Sequence, residues 1–362
     1  MIKVLVPDMP KVADLLPYLR RIDESKWFTN FGALNADLET RLSQMYGSHV
    51  TTVSSCASGL ELALASFRWP AGSRVLTPSL SFPATANAIF RCGLAPLYCD
   101  VDPDTWALTP AIAREAARHA AFVGIVPVCA YGAPQSTVEW EQIQKELGAM
   151  VVIDGAATFG NVPARSAIPF VVSMHATKSL GAGEGGFIVT SDDYRLTTMR
   201  RMSNFGIDPT AGNAVSLQHG TNAKLSEYAA SVALAGLDVW KERLALRMSL
   251  GGRYMEALAA RSPAVSIQSR PTAAPYNTFC VKLPEGVQVA HVAGWMRRCG
   301  IETRRWYVPA QHEHPGLRSE TVDHLPVTRD LAERLLGLPF HLDLTAKDIA
   351  YVCLALARSL QP

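Results

Sequence analysis

Between residues 50 and 154 the chain alternates short apolar runs with amphipathic stretches of about ten residues. The runs at 50–54, 74–77, 94–101, 122–129 and 150–154 are rich in Val, Ile and Leu and read as strands. Residues 58–67, 84–92, 110–119 and 137–147 carry apolar side chains at helical spacing. Strands separated by helices of that length make βαβ units and a mostly parallel sheet buried on both faces. Upstream, a short helix is predicted at 12–20. A longer one follows, with Leu34, Leu38, Leu42, Met45 and Tyr46 on one face and Gly47 at its end. Downstream, two apolar runs, 170–172 and 187–190, flank a glycine-rich loop. A long helix is predicted from just after Ser226 towards Met255. Beyond it come strands near 265–268, 277–283 and 301–304 and helices at 289–299 and 347–360. The expected architecture is α/β: a large domain over residues 1–240, N-terminal segment included, and a smaller α+β domain over 241–362.

Composition narrows the function classes. The 362 residues leave room for about two domains. Basic and acidic side chains number 34 and 32, so the net charge is only +2, against the strong basic excess of a nucleic-acid binder. No apolar run approaches the roughly 20 residues of a membrane span. The opening Met1-Ile2-Lys3-Val4-Leu5-Val6-Pro7 lacks a signal peptide's long apolar region, and a cytoplasmic protein is expected. Seven scattered cysteines without a C-x-x-C pair read as small buried hydrophobes, not as a disulfide frame or a metal site.

In an open parallel sheet ligands sit at the carboxyl ends of the strands, and four such ends carry suggestive residues. After 50–53 comes Ser54-Ser55-Cys56-Ala57-Ser58-Gly59, small residues at a helix start. Free N–H groups and the helix dipole suit an anion there, although Ser58 as a plain helix cap is the alternative. Phe82 follows the strand 75–77 and is either core or ligand-facing. Asp154 ends an apolar strand and either caps the next segment or serves a ligand. The last end is Ser173, followed by His175-Ala176-Thr177-Lys178 and then Gly181, Gly183, Gly185 and Gly186. Such a loop holds one amine amid closely approachable backbone. Taken alone, it is equally an ordinary hairpin with a solvated lysine.

The order anion loop, aromatic, Asp, Ser, Lys resembles the fold-type I pyridoxal-phosphate (PLP) enzymes, and within them the DegT/DnrJ/EryC1/StrS sugar aminotransferases. The likeness runs from about Trp27 to the C-terminus. It is carried by Ser79-Leu80-Ser81-Phe82-Pro83-Ala84-Thr85-Ala86-Asn87-Ala88, Asp100-Val101-Asp102-Pro103-Asp104-Thr105, the His175–Lys178 motif with Gly183-Glu184-Gly185-Gly186, and Gly220-Thr221-Asn222-Ala223-Lys224-Leu225-Ser226-Glu227. The resemblance implies that Lys178 is the Schiff-base lysine and proton carrier, and that Asp154 keeps the pyridine nitrogen protonated. Phe82 would stack on one ring face with Ala156 beneath the other. Ala57, Ser58, Gly59 and Ser173 would hold the phosphate, completed from a second subunit by Asn222 or Lys224. The active form would then be a homodimer with shared sites. Asn30 and Phe31, in the irregular segment 27–32, and Arg304, Arg305, Tyr307 and His312 are substrate-side candidates. The four loop glycines would make room for the cofactor and a neighbouring subunit.

Two departures stand out. Many members carry Gln or His three residues after the cofactor aspartate, where this chain has Ala157. The common Arg-x-His-Gly after the lysine appears as Ser203-Asn204-Phe205-Gly206, a variant similar to the branch that aminates C4 of nucleotide-linked 4-keto-6-deoxy sugars. The resemblance thus implies transfer of an amino group from L-glutamate, through PLP, to a nucleotide-linked keto sugar. Amination at C3 or of a cyclitol is the rival reaction, and a non-catalytic PLP-binding regulator the rival class. A sister group of dehydratases has His in place of the lysine. The presence of Lys178 favours transamination.

Overall fold

The computed structural model describes residues 1–208, 214–262 and 264–361. Helices α1 (Val12–Ser25) and α2 (Ala33–Tyr46) lead into β1 (His49–Val53), α3 (Cys56–Ala65), β2 (Arg74–Pro78), α4 (Pro83–Arg91), β3 (Ala95–Cys99), α5 (Pro110–His119), β4 (Gly124–Ile125) and α6 (Thr137–Leu147). Then come β5 (Met150–Val151), β6 (Ile153–Asp154), β7 (Phe170–Ser173), β8 (Gly186–Thr190) and α7 (Asp193–Met202). The C-terminal part holds α8 (Glu227–Asp238), α9 (Trp240–Arg261), β9 (Ser266–Ile267), β10 (Phe279–Lys282), α10 (Val289–Arg298), β11 (Glu320–Thr321), α11 (Pro326–Arg334), β12 (Leu335–Leu338) and α12 (Ala346–Ser359).

A five-stranded parallel sheet has the order β11-β3-β2-β4-β5, and a four-stranded one the order β1-β8-β7-β6. They form one continuous surface, because β5 and β6 are halves of the strand 150–154. On one edge the Val152 N–H donates to the Ile125 carbonyl at 3.0 Å, and on the other the Ile153 N–H donates to the Pro169 carbonyl at 2.9 Å. β8 alone runs antiparallel to its neighbours. The expected mostly parallel α/β sheet is therefore observed. Val151, Val152 and Ile153 are fully buried, as an apolar strand covered on both faces requires. One core packs α1, α2 and α8 against the sheet, a second lies under α3 and α4, and a third gathers Leu250 to Leu356 around the antiparallel sheet β12-β10-β9.

Several expectations are corrected. The long helix after Ser226 is broken at Val239, whose backbone (φ −108°, ψ 8°) leaves the helical well. Residues 301–304 do not form a strand: Ile301 pairs with Ile2, and Arg304 with Gly337, as isolated bridges. The Trp306 indole packs directly against Gly337 there, closing off any longer ladder. Helices α7 and α11 and strands β11 and β12 were not anticipated. α7 is rich in charge with only Thr198 and Met199 buried, which blurs its periodicity. Among the described residues no helix is long and apolar enough to cross a membrane.

Candidate active site

The carboxyl ends of β1, β2, β6 and β7 converge on a cavity of about 390 Å³, within the range of small-ligand sites. Its wall includes Lys178, Asp154, Ser173, Phe82, Ala156 and Ala57 from the large sheet, and Arg304, Trp306 and Tyr307 from the C-terminal part. Lys178 is held by a tight loop: its own N–H donates to the His175 carbonyl (2.8 Å), and the Ala182 N–H reaches back to the Met174 carbonyl (2.7 Å). This is not a solvated hairpin lysine. Burial favours its neutral amine and lowers its pKa, against the opposing pull of Cys56 and the Asp154 carboxylate.

Asp154 is 4% exposed. The Thr85 hydroxyl donates to its Oδ2 at 2.7 Å and the Ala156 N–H to its Oδ1 at 3.1 Å. Burial pushes its pKa up, while Thr85, Ala156 and Lys178 pull the other way. So Asp154 does cap the following turn, and it also faces the cavity; the two readings of this residue are compatible.

At α3 the hydroxyl that caps the helix belongs to Ser55, which accepts the Ser58 N–H at 3.1 Å. Ser58 is not the cap. Its own hydroxyl lies 3.0 Å from that of Ser55 and 3.3 Å from that of Ser54, and this three-hydroxyl cluster stands at the dipole end of the helix. Ser55 and Ala57 line the cavity, whereas Gly59 faces the sheet, where a Cβ would meet Val171 Cγ1 at 2.7 Å. Ser173 Oγ accepts the His175 N–H at 3.1 Å.

Gly181 and Gly186 need a different account from the one expected. At Gly181 a Cβ would strike Met9 Sδ at 2.7 Å, and at Gly186 it would strike the Val172 carbonyl oxygen at 2.8 Å and the Cys56 nitrogen at 2.9 Å. Those spaces are filled by this same chain. Gly183, at φ +81° with open space around it, is there for its backbone conformation.

The remaining candidates lie off this cavity wall. Arg305 donates to the Ala332 carbonyl at the end of α11. His312 Nδ1 is 2.6 Å from the Ser79 hydroxyl. Asn30 and Phe31 both have positive φ, and the Phe31 ring lies 4.1 Å from the Arg200 guanidinium. Asn222 is exposed and accepts a hydrogen bond from Lys224 Nζ at 2.8 Å. Conversely, Leu5, Cys129, Tyr131 and Asn277 line the cavity without a signal in the sequence that marks them, and so does Trp306, for which ligand-facing aromatic and core residue were both open. So do His175, Thr177 and Glu184 of the loop that carries Lys178.

These residues fit a phosphorylated pyridine aldehyde. A flat ring finds Phe82, 59% exposed despite being apolar, and the small Ala156 on the same wall. A ring cation finds a buried carboxylate, a phosphate finds the α3 hydroxyls and amides, and an aldehyde finds an amine that burial draws towards neutrality. Fold and site together define a PLP-dependent transaminase of fold type I. The chain belongs to the DegT/DnrJ/EryC1/StrS aminotransferase family, which it matches over residues 11–357. It is 31% identical to Protein Rv3402c of Mycobacterium tuberculosis, over 96% of this chain and 88% of that one. It is 28% identical to the dTDP-4-amino-4,6-dideoxy-D-glucose transaminase of Escherichia coli, over 97% and 96%. Among solved structures it superimposes on DesI, determined in the presence of its TDP-sugar product, with TM-score 0.87 and 30% identity over 98% and 92% of the two chains.

Proposed function

We propose that this protein transfers an amino group from L-glutamate to C4 of a nucleotide-linked 4-keto-6-deoxyhexose, with dTDP as the first nucleotide to try. The observation that carries this reading is the end-to-end similarity to the E. coli transaminase and to DesI, joined to an intact lysine–aspartate pair in the cavity. Bound there, the cofactor supplies a carbonyl carbon that accepts amines and a ring that takes up electrons. The protein's residues do the rest. The Lys178 amine would move a proton between the substrate carbon and the cofactor's carbonyl carbon, Asp154 would hold the proton on the ring nitrogen, and Phe82 would fix the ring plane. Arg304, on the cavity wall with its guanidinium 4.2 Å from the Trp306 ring, offers a cation to a diphosphate. In this division of labour residues 1–240 bind the cofactor, and 241–362 bring the substrate-facing Arg304 and Tyr307.

The test is a panel of nucleotide keto sugars incubated with glutamate and PLP, with products identified by mass spectrometry and NMR. A 4-amino-4,6-dideoxy sugar nucleotide is the expected product; a 3-amino sugar, an aminocyclitol or no product would overturn the assignment.

We further propose a homodimer in which Asn222 and Lys224 complete the partner's phosphate site. Their outward placement on their own chain supports this, and an isologous two-fold axis would use both copies equally. Mixing Lys178→Ala protein with an Asn222→Ala/Lys224→Ala double variant, each near inactive alone, is expected to restore about a quarter of the wild-type activity per site. This fraction follows from random pairing around a two-fold axis. No recovery in a mixture shown to exchange subunits would refute shared sites.

A further inference from the structure

We propose that Thr85, backed by Ser81, is a positioning residue that holds the Asp154 carboxylate ionised and turned towards the ring nitrogen of the cofactor. All three side chains are buried, with Thr85 and Ser81 each 1% exposed. The Thr85 and Asp154 oxygens are 2.7 Å apart and the Ser81 and Thr85 oxygens 2.9 Å apart. An ionised carboxylate only accepts, so the proton between Asp154 and Thr85 belongs to Thr85. The proton between Thr85 and Ser81 then belongs to Ser81. Every rotor in the chain Ser81 to Thr85 to Asp154 is thereby fixed. With the Ala156 N–H on the other oxygen, the carboxylate plane is set by one donor at each end, and one lone pair on each oxygen is left for the cavity.

The frame around Thr85 is rigid too. Thr85 sits in the first turn of α4, whose dipole favours an anion beside it. Fully buried Gln311 clamps that turn, accepting the Ala86 N–H at 3.0 Å and donating to the Pro78 carbonyl at 3.1 Å. The titratable groups facing Asp154 from other elements are Lys178, the Cys56 and Cys129 thiols and the Tyr307 phenol. Burial keeps the last three neutral. Lys178 is itself favoured as the neutral amine, so the Thr85 dipole acts with little competition.

This inference rests on Asp154 serving the ring nitrogen, as read above, and the test separates the two. Thr85→Val, Thr85→Ser, Ser81→Ala and Asp154→Asn holoenzymes are titrated with pH, following the yellow absorbance of the Lys178-bound cofactor, alongside kcat and KM for the amino donor. Losing a charge-assisted hydrogen bond raises the carboxyl's proton affinity about tenfold or more, which weakens the hold on the ring proton. With less positive charge on the ring, the bonded Lys178 nitrogen becomes more basic. Thr85→Val is therefore expected to move the titration midpoint up by about one pH unit and to lower kcat about tenfold with little change in KM. Thr85→Ser should restore both, and Ser81→Ala should shift them the same way by less. If Asp154→Asn moves the midpoint while Thr85→Val and Ser81→Ala leave it at the wild-type value, the positioning role is refuted and the aspartate's role stands. If Asp154→Asn leaves it unmoved as well, both fall.

Discussion

Lys178→Ala is expected to abolish transamination, lowering kcat by about 10⁴-fold or more, while the protein still folds and takes up PLP without a covalent bond. The loop that carries Lys178 closes through backbone hydrogen bonds at His175, Ala176 and Met174, none of which uses the lysine side chain. Truncating that side chain removes the one lysine that lines the cavity among the described residues, and with it the amine that would bond the cofactor aldehyde and shuttle a proton. Lys178→Arg should fare no better, because a guanidinium keeps its proton. Borohydride treatment of the wild type should fix colour to the peptide containing Lys178 and leave the variant unlabelled. The pH dependence has a definite sign. Burial lowers the lysine pKa in the fold, so the amine is neutral, and cofactor capture persists, at pH values below those an ordinary lysine needs. The same shift means the folded state binds fewer protons than the unfolded one. The cofactor-free protein therefore gains stability as pH rises from the lowered value to the ordinary lysine value. A Lys178→Ala variant within tenfold of wild-type turnover would refute the assignment, as would wild-type cofactor capture only at the pH of an exposed amine.

How much of this was legible in the sequence depends on what each residue answers to. The sheet was readable because strands such as 150–154, buried on both faces, must be continuously apolar. Lys178, Asp154 and Phe82 stand at or beyond strand ends, where a parallel sheet presents its ligands, but position alone left each a plain structural alternative, and their roles came from the resemblance. Leu5 was not: it reaches the cavity because the N-terminal segment pairs with distant parts of the chain. The Ile2 N–H donates to the Gly300 carbonyl and the Phe340 N–H to the Val4 carbonyl, contacts that leave no local pattern. Tyr131, in the 3₁₀ turn Ala130–Gly132, and Asn277, two residues before β10, are likewise placed by tertiary packing. Arg305 shows the opposite ambiguity. A cationic residue beside aromatics looked ligand-facing, but the α11 carbonyl end claims its guanidinium. Serine identity at α3 was ambiguous for a physical reason, since adjacent hydroxyls compete for the same amide and spacing alone does not say which wins.

Asp154→Asn is expected to act in opposite directions on activity and on the stability of the cofactor-free protein. On the proposed reading, the Asp154 carboxylate would face a ring cation inside a buried site in the holoenzyme. Removing one partner of a buried ion pair costs about 3–5 kcal/mol. Expressed in the transition state, that lowers kcat by about 10²- to 10⁴-fold. Asp154→Glu should rescue little, because the longer arm cannot keep both the Thr85 and Ala156 hydrogen bonds. Without cofactor the balance reverses. Burial raises the Asp154 pKa above its unfolded value, so the folded state holds this proton more tightly. Stability linked to the group is then complete below the ordinary aspartate pKa and is lost as pH rises through the raised folded value. Above that window the wild-type apoprotein carries a buried charge whose one facing cation, Lys178, is itself drawn towards neutrality. The neutral amide avoids that penalty, so the Asn variant's cofactor-free Tm should exceed the wild type's there, and the two should converge in acid. Thermal melts of both apoproteins across pH, set beside kcat of the holoenzymes, read both signs at once. A variant that melts lower than wild type at every pH would make Asp154 a structural cap held by Ala156 and Thr85. A variant with near wild-type kcat would remove it from the chemistry altogether.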